Sequence, residues 1–296
     1  MHSFIDRDLL SRLGSLPVES RVPMMGNVAG KHRSPHRGSS VEFAEYRKYV
    51  AGDDTRRLDW KVFARSDRFY IKEFEADTNL RAYFVVDASG SMEFEGAGEK
   101  KIEFARKIAA SLSYLLVNQG DAAGLSICTD KLHLEVPPSR RAAHLERLFS
   151  TLAALEPEGP TGLLDALHTI AEKIAQRALV VILSDLFTDP AEFGDALQHL
   201  RFRKHDIAVF HLMDPQEVGF EFERPHRFVD LEDGTALVAE PSLIAAEYKT
   251  ALREFLTAVR AKCSDASADY QLVTTDTPLE PLLREFLTAR LSKTKK

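Results

Sequence analysis

Three short apolar runs set the frame for this chain. AYFVVD at 82–87, ALVVILSD at 178–185 and IAVFHLMD at 207–214 are continuous rather than alternating, rich in Val, Ile and Phe, and of strand length. A strand with one wet face alternates apolar and polar residues, so unbroken runs of this kind read as strands covered on both faces, the pattern of a parallel sheet. Each run also ends in an aspartate. In an open parallel sheet, ligands sit outside the carboxyl ends of the strands where the strand order reverses. If the strands ending in Asp87 and Asp185 flank that point, their carboxylates converge in one crevice.

Helical patterns separate the runs. EKKIEFARKIAASLSYLLVNQ carries Ile102, Ala105, Ile108, Ala109, Leu112 and Leu115 on one stripe and stops at Gly120. RRAAHLERLFSTLAAL, TGLLDALHTIAEKIAQ, PAEFGDALQHLRFRK, PSLIAAEYKTALREFLTAVRAKC and PLEPLLREFLTARL read likewise. DAAGLSICTD with KLHLEVP predicts an antiparallel pair turning near Asp130, and DYQLVTTD a further strand. Strand and helix alternate from residue 81 to 296, so the expected fold is α/β, a doubly wound and mostly parallel sheet of Rossmann type. A hairpin near 219–240, marked by Asp233-Gly234, is inserted. Residues 1–80 read as a separate N-terminal module of helix, loop and an Arg/Asp/aromatic-rich stretch.

Length and composition bound the function classes. The 296 residues suffice for one large domain with an appended module, and 44% hydrophobic with 28% charged residues is globular. A net charge of −6 offers no global pull toward nucleic acid or an anionic membrane. KHRSPHR at 31–37 is locally basic, but Pro35 breaks the helix that a His32/His36 metal pair needs, and no stacking aromatics accompany it. The first twenty residues lack the apolar core of a secretory signal, and no apolar run approaches the ~18 residues that cross a bilayer. Cys128 and Cys263 have no partner at metal-ligand spacing and read as reduced and buried, in keeping with a cytoplasmic location.

The run ending in Asp87 continues as Ala-Ser89-Gly-Ser91, and Thr161 opens a predicted helix in EGPTGLLDAL. Singly, each of these reads equally as a helix cap or turn residue. Thr161 forms no capping box, since Leu164 stands three positions later. Jointly, Asp87, Ser89, Ser91, Thr161 and Asp185 make a hard, all-oxygen donor set that suits Mg²⁺ or Mn²⁺ and disfavours zinc.

These five positions resemble the metal-ion-dependent adhesion site of von Willebrand factor type A domains, with no substitution. The resemblance implies that Ser89, Ser91 and Thr161 ligate the metal directly, that Asp87 and Asp185 act through water or hydrogen bonds, and that a vacant position accepts a Glu or Asp from a protein partner. Upstream, Gly38, Glu45-Tyr46-Arg47, Tyr49, Gly52-Asp53-Asp54, Arg56, Asp59-Trp60 and Ala64-Arg65 resemble the signature of a bacterial family known only as domain of unknown function fifty-eight. Its members are typically encoded beside MoxR-type AAA+ ATPases, which implies a non-enzymatic adaptor for such an ATPase in the assembly or maturation of other proteins. Many members carry transmembrane helices; this chain has no run that qualifies.

Arg47, Asp53, Asp54, Arg56, Trp60 and Arg65 are the candidate partner-binding residues, and a charge-assisted clamp with Trp60 against guanidinium planes is the competing structural reading. Two other functions stay open. Asp87 sits where an aspartyl nucleophile of a Mg²⁺-dependent phosphohydrolase would stand, although Ser89 replaces the second acid of the haloacid-dehalogenase pattern. The third is a scaffold with an empty site. No GxxxxGK[ST] phosphate loop is present.

Overall fold

The computed structural model describes residues 2–21, 42–48, 60–66, 68–75, 80–130, 132–222, 224–232 and 234–293. The chain divides into two compact units, one of Met1–Val22 with Arg81–Lys296 and one of Pro23–Leu80. In chain order the elements begin with α1 (Arg7–Leu13), β1 (Glu42–Lys48), α2 (Trp60–Ser66) and β2 (Tyr70–Glu75). In the smaller unit β1 and β2 pair antiparallel, with a register shift between Phe43 and Glu45. Trp60 there meets Phe63 edge to face, and Phe63 stacks on Phe69 at 4.4 Å between ring centroids.

The larger unit continues with β3 (Arg81–Asp87), α3 (Lys101–Asn118), β4 (Ala122–Cys128), β5 (Leu132–Ser139), α4 (Ala142–Ala153), α5 (Leu163–Lys173) and β6 (Leu179–Ser184). It ends with α6 (Pro190–Phe202), β7 (Asp206–Met213), α7 (Pro215–Gly219), β8 (His226–Val229), β9 (Ala236–Ala239), α8 (Pro241–Asp265), β10 (Asp269–Thr274) and α9 (Leu279–Lys293). Six strands form one sheet in the order β10-β7-β6-β3-β4-β5, parallel except for the antiparallel β5. Strands β6 and β7 are buried along their whole length and β3 from Phe84 to Asp87, which is why the three read as unbroken apolar runs; β4 is equally buried. Strand β5 carries Pro137 and Pro138, residues without an N–H that a sheet tolerates at its edge.

Alternate side chains of the sheet feed two cores. Val85, Val180, Ile182, Ile207 and Val209 pack with Leu163, Leu167, Phe193, Leu197 and Val259 of α5, α6 and α8. On the other face lie α1, α3, α4 and α9, with Phe210 of β7 and Phe286 of α9 at 5.0 Å between ring centroids. The sheet is thus wound on both faces. The inserted hairpin, β8 with β9, forms its own two-stranded antiparallel sheet.

The first 22 residues differ from the sequence grouping, which placed them with the upstream module. Leu9, Leu10 and Leu13 of α1 are buried in the larger unit, and Val18 N–H donates to Gln119 Oε1 at 3.0 Å. The reason is a polar network at the amino ends of β7 and β10. There Ser20 Oγ and Arg21 N–H donate to Asp206 at 3.0 and 2.7 Å, and Arg290 Nε donates to the Glu19 carbonyl at 2.7 Å. Cys128 and Cys263 are free thiols in one core, where burial raises both pKa values, that of Cys263 to about 12.

Candidate functional site

Strands β3 and β6 are parallel neighbours, with Val86 opposite Leu183. The chain leaves β3 for β4 on one side and returns after β5 to β6 on the other, so the strand order reverses between them. Asp87 and the Ser184-Asp185 step therefore reach the same rim. Asp87 is buried and accepts hydrogen bonds from Ser89 N–H at Oδ1 (3.0 Å) and from Ser184 Oγ (2.6 Å) and Thr161 Oγ1 (3.2 Å) at Oδ2.

Backbone pairing brings Thr161 in from a distant segment. Glu158 N–H donates to the Ala88 carbonyl at 3.0 Å and Gly90 N–H to the Gly159 carbonyl at 2.8 Å, closing the 158–162 loop onto the loop after β3. Gly159 holds φ +70°, a left-handed turn that suits glycine. Thr161 Oγ1 also accepts the Leu163 N–H at 3.3 Å, so the cap reading and the site reading describe one hydroxyl. Ser89 Oγ and Ser91 Oγ stand 3.1 Å apart.

Asp185 follows β6 and is buried. Lys101, fully buried at the start of α3, donates to Asp185 Oδ2 at 2.6 Å and to Glu217 Oε1 at 2.9 Å. Burial pulls the Lys101 pKa down, but Asp185 and Glu217 outweigh it and the net shift is upward. Glu217 Oε2 accepts the Asp214 N–H at 2.7 Å. The Asp214 carboxylate grips the preceding loop through Gly96, Ala97 and Gly98 N–H at 3.0, 2.9 and 3.0 Å. A Cβ on Gly96 would lie 2.4 Å from Asp214 Oδ1, which explains glycine there. Burial works against ionised Asp214, yet the Gln216 N–H, donating at 2.8 Å, together with these three N–H groups holds its pKa below the ordinary carboxylate value. Leu186, next after Asp185, adopts φ +55°, a strained conformation of the kind that clusters at functional rims.

Asp87 has the opposite electrostatics. Burial, then the Asp185 charge, raises its pKa from 3.8 to about 6 against the hydrogen bonds from Ser184 and Ser89. The tip of the β8–β9 hairpin lies over the outer side, with the Glu232 Cα 3.4 Å from where a Gly90 Cβ would stand; burial raises the Glu232 pKa, against the neighbouring Ser91 hydroxyl and Thr161 backbone N–H, which lower it. The rim thus gathers two buried acids and three hydroxyls. A divalent cation fits this set: the 3.1 Å between the serine oxygens is the spacing of adjacent octahedral corners with ~2.1 Å bonds. Among the described residues no group of three or more His, Cys, Asp or Glu offers a metal site, so a cation here depends on the hydroxyls.

Of the residues picked from sequence, Asp87, Ser89, Ser91 and Thr161 are brought into hydrogen-bonding distance, and Asp185 stands close enough to act on the Asp87 charge. In the smaller unit, Arg47 lies in β1, while Trp60 and Arg65 are exposed on α2. Asp53, Asp54 and Arg56 lie outside the described residues. The sequence reading missed Ser184, Lys101, Glu217 and Glu232. Ser184 was detectable as the hydroxyl beside a strand-ending acid; Glu232 only as an acid beside the Asp-Gly turn.

Fold and rim together define an α/β protein with a ligand-type crevice at its topological switch point. The family described as protein of unknown function DUF58 matches residues 45–257, more than half of the chain, and the chain belongs to that family. The uncharacterized protein Rv1480 of Mycobacterium tuberculosis is 29% identical over 217 residues, 72% of this chain and 68% of the relative. Among solved structures, an aerotolerance-related membrane protein from Bacteroides fragilis aligns with TM-score 0.48 and 13% identity over 73% of this chain and 100% of that one. The SpRpn10 VWA domain aligns with TM-score 0.41 and 12% identity over 71% and 95%. No helix among the described residues is long and apolar enough to cross a membrane.

Proposed function

We propose that this chain is a divalent-cation-dependent protein-binding module without catalytic activity of its own. Ser89, Ser91 and Thr161 would hold Mg²⁺ or Mn²⁺ directly, with Asp87 and Asp185 behind them. The observation that carries this reading is the meeting of Thr161 with Asp87 at 3.2 Å and of the two serine hydroxyls at 3.1 Å, at the point where strand order reverses. Bound there, the cation supplies an electrophilic position for a carboxylate of a partner protein. Asp87 orients the hydroxyls through its hydrogen bonds, and Lys101 fixes Asp185. The phosphohydrolase reading is disfavoured because both Asp87 oxygens already accept hydrogen bonds and the carboxyl is 1% exposed.

The partner in this proposal is a MoxR-type AAA+ ATPase of the cytoplasm, with the chain as its adaptor in the assembly or maturation of other proteins. The resemblance of the stretch from Gly38 to Arg65 to the family signature supports it. Calorimetric titration of Mg²⁺ and Mn²⁺ into wild type, Asp87→Ala and Thr161→Ala, with capture of a purified MoxR-type AAA+ ATPase, tests it. Uptake and capture should both weaken at least about tenfold in the variants, the loss of roughly 1.4 kcal/mol. Capture indifferent to metal and to both substitutions would refute the reading.

A further inference from the structure

The outer side of the rim is closed by the chain itself. A Cβ added to Gly90 would stand 2.1 Å from the Leu231 carbonyl oxygen and 2.8 Å from its carbon. The hairpin tip is therefore seated backbone to backbone on the Ser89–Ser91 loop, in space that only glycine leaves. The tip has a defined shape: Asp230 N–H donates to the Thr235 carbonyl at 2.8 Å, Gly234 N–H to the Asp230 carbonyl at 3.0 Å, and Glu232 N–H to Asp230 Oδ1 at 2.7 Å. That turn seats Glu232 beside the Ser89–Ser91 loop, its Cα 3.4 Å from the place of a Gly90 Cβ, with Ser91 and Thr161, two of the three hydroxyl-bearing residues of the site, among the groups that act on its carboxyl.

We infer that Glu232 is this chain's own acidic ligand for the rim, occupying the position a partner's carboxylate must take, so that a partner gains the site only when the hairpin tip lifts. This rests on the cation reading above. The geometry places an acidic residue against the Ser89–Ser91 loop, beside two further acids, Asp87 and Asp185, that a cation would balance. The hairpin is built to move as a unit, since among the described residues β8 and β9 pair only with each other and Leu237 and Val238 are 64% and 72% exposed. Its inner side, through Phe228 and Leu231, walls a cavity of about 510 Å³ shared with Phe94, Phe187, Phe220 and Tyr248. Lifting the tip would open that aromatic cavity beside the cation. A matching partner carries an acidic residue with an apolar neighbour, as Leu231-Glu232 does.

The test uses the full chain, Mn²⁺ as the metal and acetate as the carboxylate probe, with calorimetry and amide hydrogen exchange of residues 226–239. In wild type, Mn²⁺ should slow exchange at 230–235 about fivefold or more, and acetate should not change the Mn²⁺ affinity. Glu232→Gln should lose that protection, bind Mn²⁺ about tenfold more weakly and bind it more tightly when acetate is added. Gly90→Ala, whose Cβ collides with the Leu231 carbonyl, should also gain the acetate response while keeping Glu232. Equal Mn²⁺ affinity and equal exchange in wild type and Glu232→Gln, with Thr161→Ala still defective, would overturn this inference and leave the cation reading standing. Absence of Mn²⁺ uptake by wild type would overturn both.

Discussion

The two ends of the central sheet treat buried aspartates in opposite ways. At the amino ends of β7 and β10, Asp206 and Asp269 are matched by cations. Arg290, 1% exposed, donates to Asp269 Oδ2 at 2.6 Å and to Asp206, and Arg21 donates to Asp269 Oδ1 at 2.5 Å. At the carboxyl ends of β3 and β6, Asp87 meets hydroxyls and an N–H, and Lys101 serves Asp185 and Glu217 together. One end is neutralised by the chain's own guanidinium groups and fastens residues 19–21 to the sheet. The other gathers Asp87, Asp185 and Glu217 around the single ammonium of Lys101, the imbalance on which the proposed cation site rests.

The contrast predicts a ranking of effects. Arg290→Met strips the cation from two acids and should cost about 3–5 kcal/mol in denaturant unfolding, because Asp206 stays buried without its partner. A loss below about 1 kcal/mol would erase the distinction between the two ends. Next comes the Asp87 charge. With chelator present, the native state keeps a proton on Asp87 from pH 3.8 to about 6 that the unfolded chain has already released. Stability should therefore fall across that window, by on the order of 3 kcal/mol, and level off above it. Asp87→Asn should flatten this limb of the stability profile while abolishing metal uptake; a limb unchanged by the substitution would assign it to another group.

Smaller effects sharpen the picture. Gly96→Ala places a methyl against the Asp214 carboxylate and should cost about 1–3 kcal/mol, read as a lowered thermal midpoint. The Asp214 pKa is depressed, so its contribution is present above the unfolded carboxylate value and fades as pH falls through the folded one. The Gly96→Ala penalty should shrink in acid accordingly. The surface pair Lys173–Glu135, at 3.0 Å and well exposed, belongs to neither end, and Lys173→Ala should change stability by about 0.2–1 kcal/mol.

Much of this was legible in the sequence because it is written in local spacing. The apolar runs predicted β3, β6 and β7, and Asp87-Ala-Ser89-Gly-Ser91 displays three donors within one turn. Reversal of strand order beside Asp87 was only a condition in the sequence, which the strand order β6-β3-β4 meets. Contacts created by a loop landing on another element were not legible. Glu232 comes to the site only because the hairpin tip settles on Gly90, and nothing local to Lys101 marks it as the buried residue that α3 turns inward. The N-terminal segment misled for the same reason, since the Glu19 carbonyl finds its donor, Arg290, 271 positions away.

The prolines of β5 carry a consequence for self-association. Consecutive residues of a strand turn their N–H groups to opposite sides, so the Pro137-Pro138 pair removes one donor from the outermost border of the sheet, and a strand from another copy finds a gap in the row of amides there. Edge-to-edge growth of the sheet is thereby discouraged on the side of β5, and copies of this chain that meet must do so through other faces or through β10.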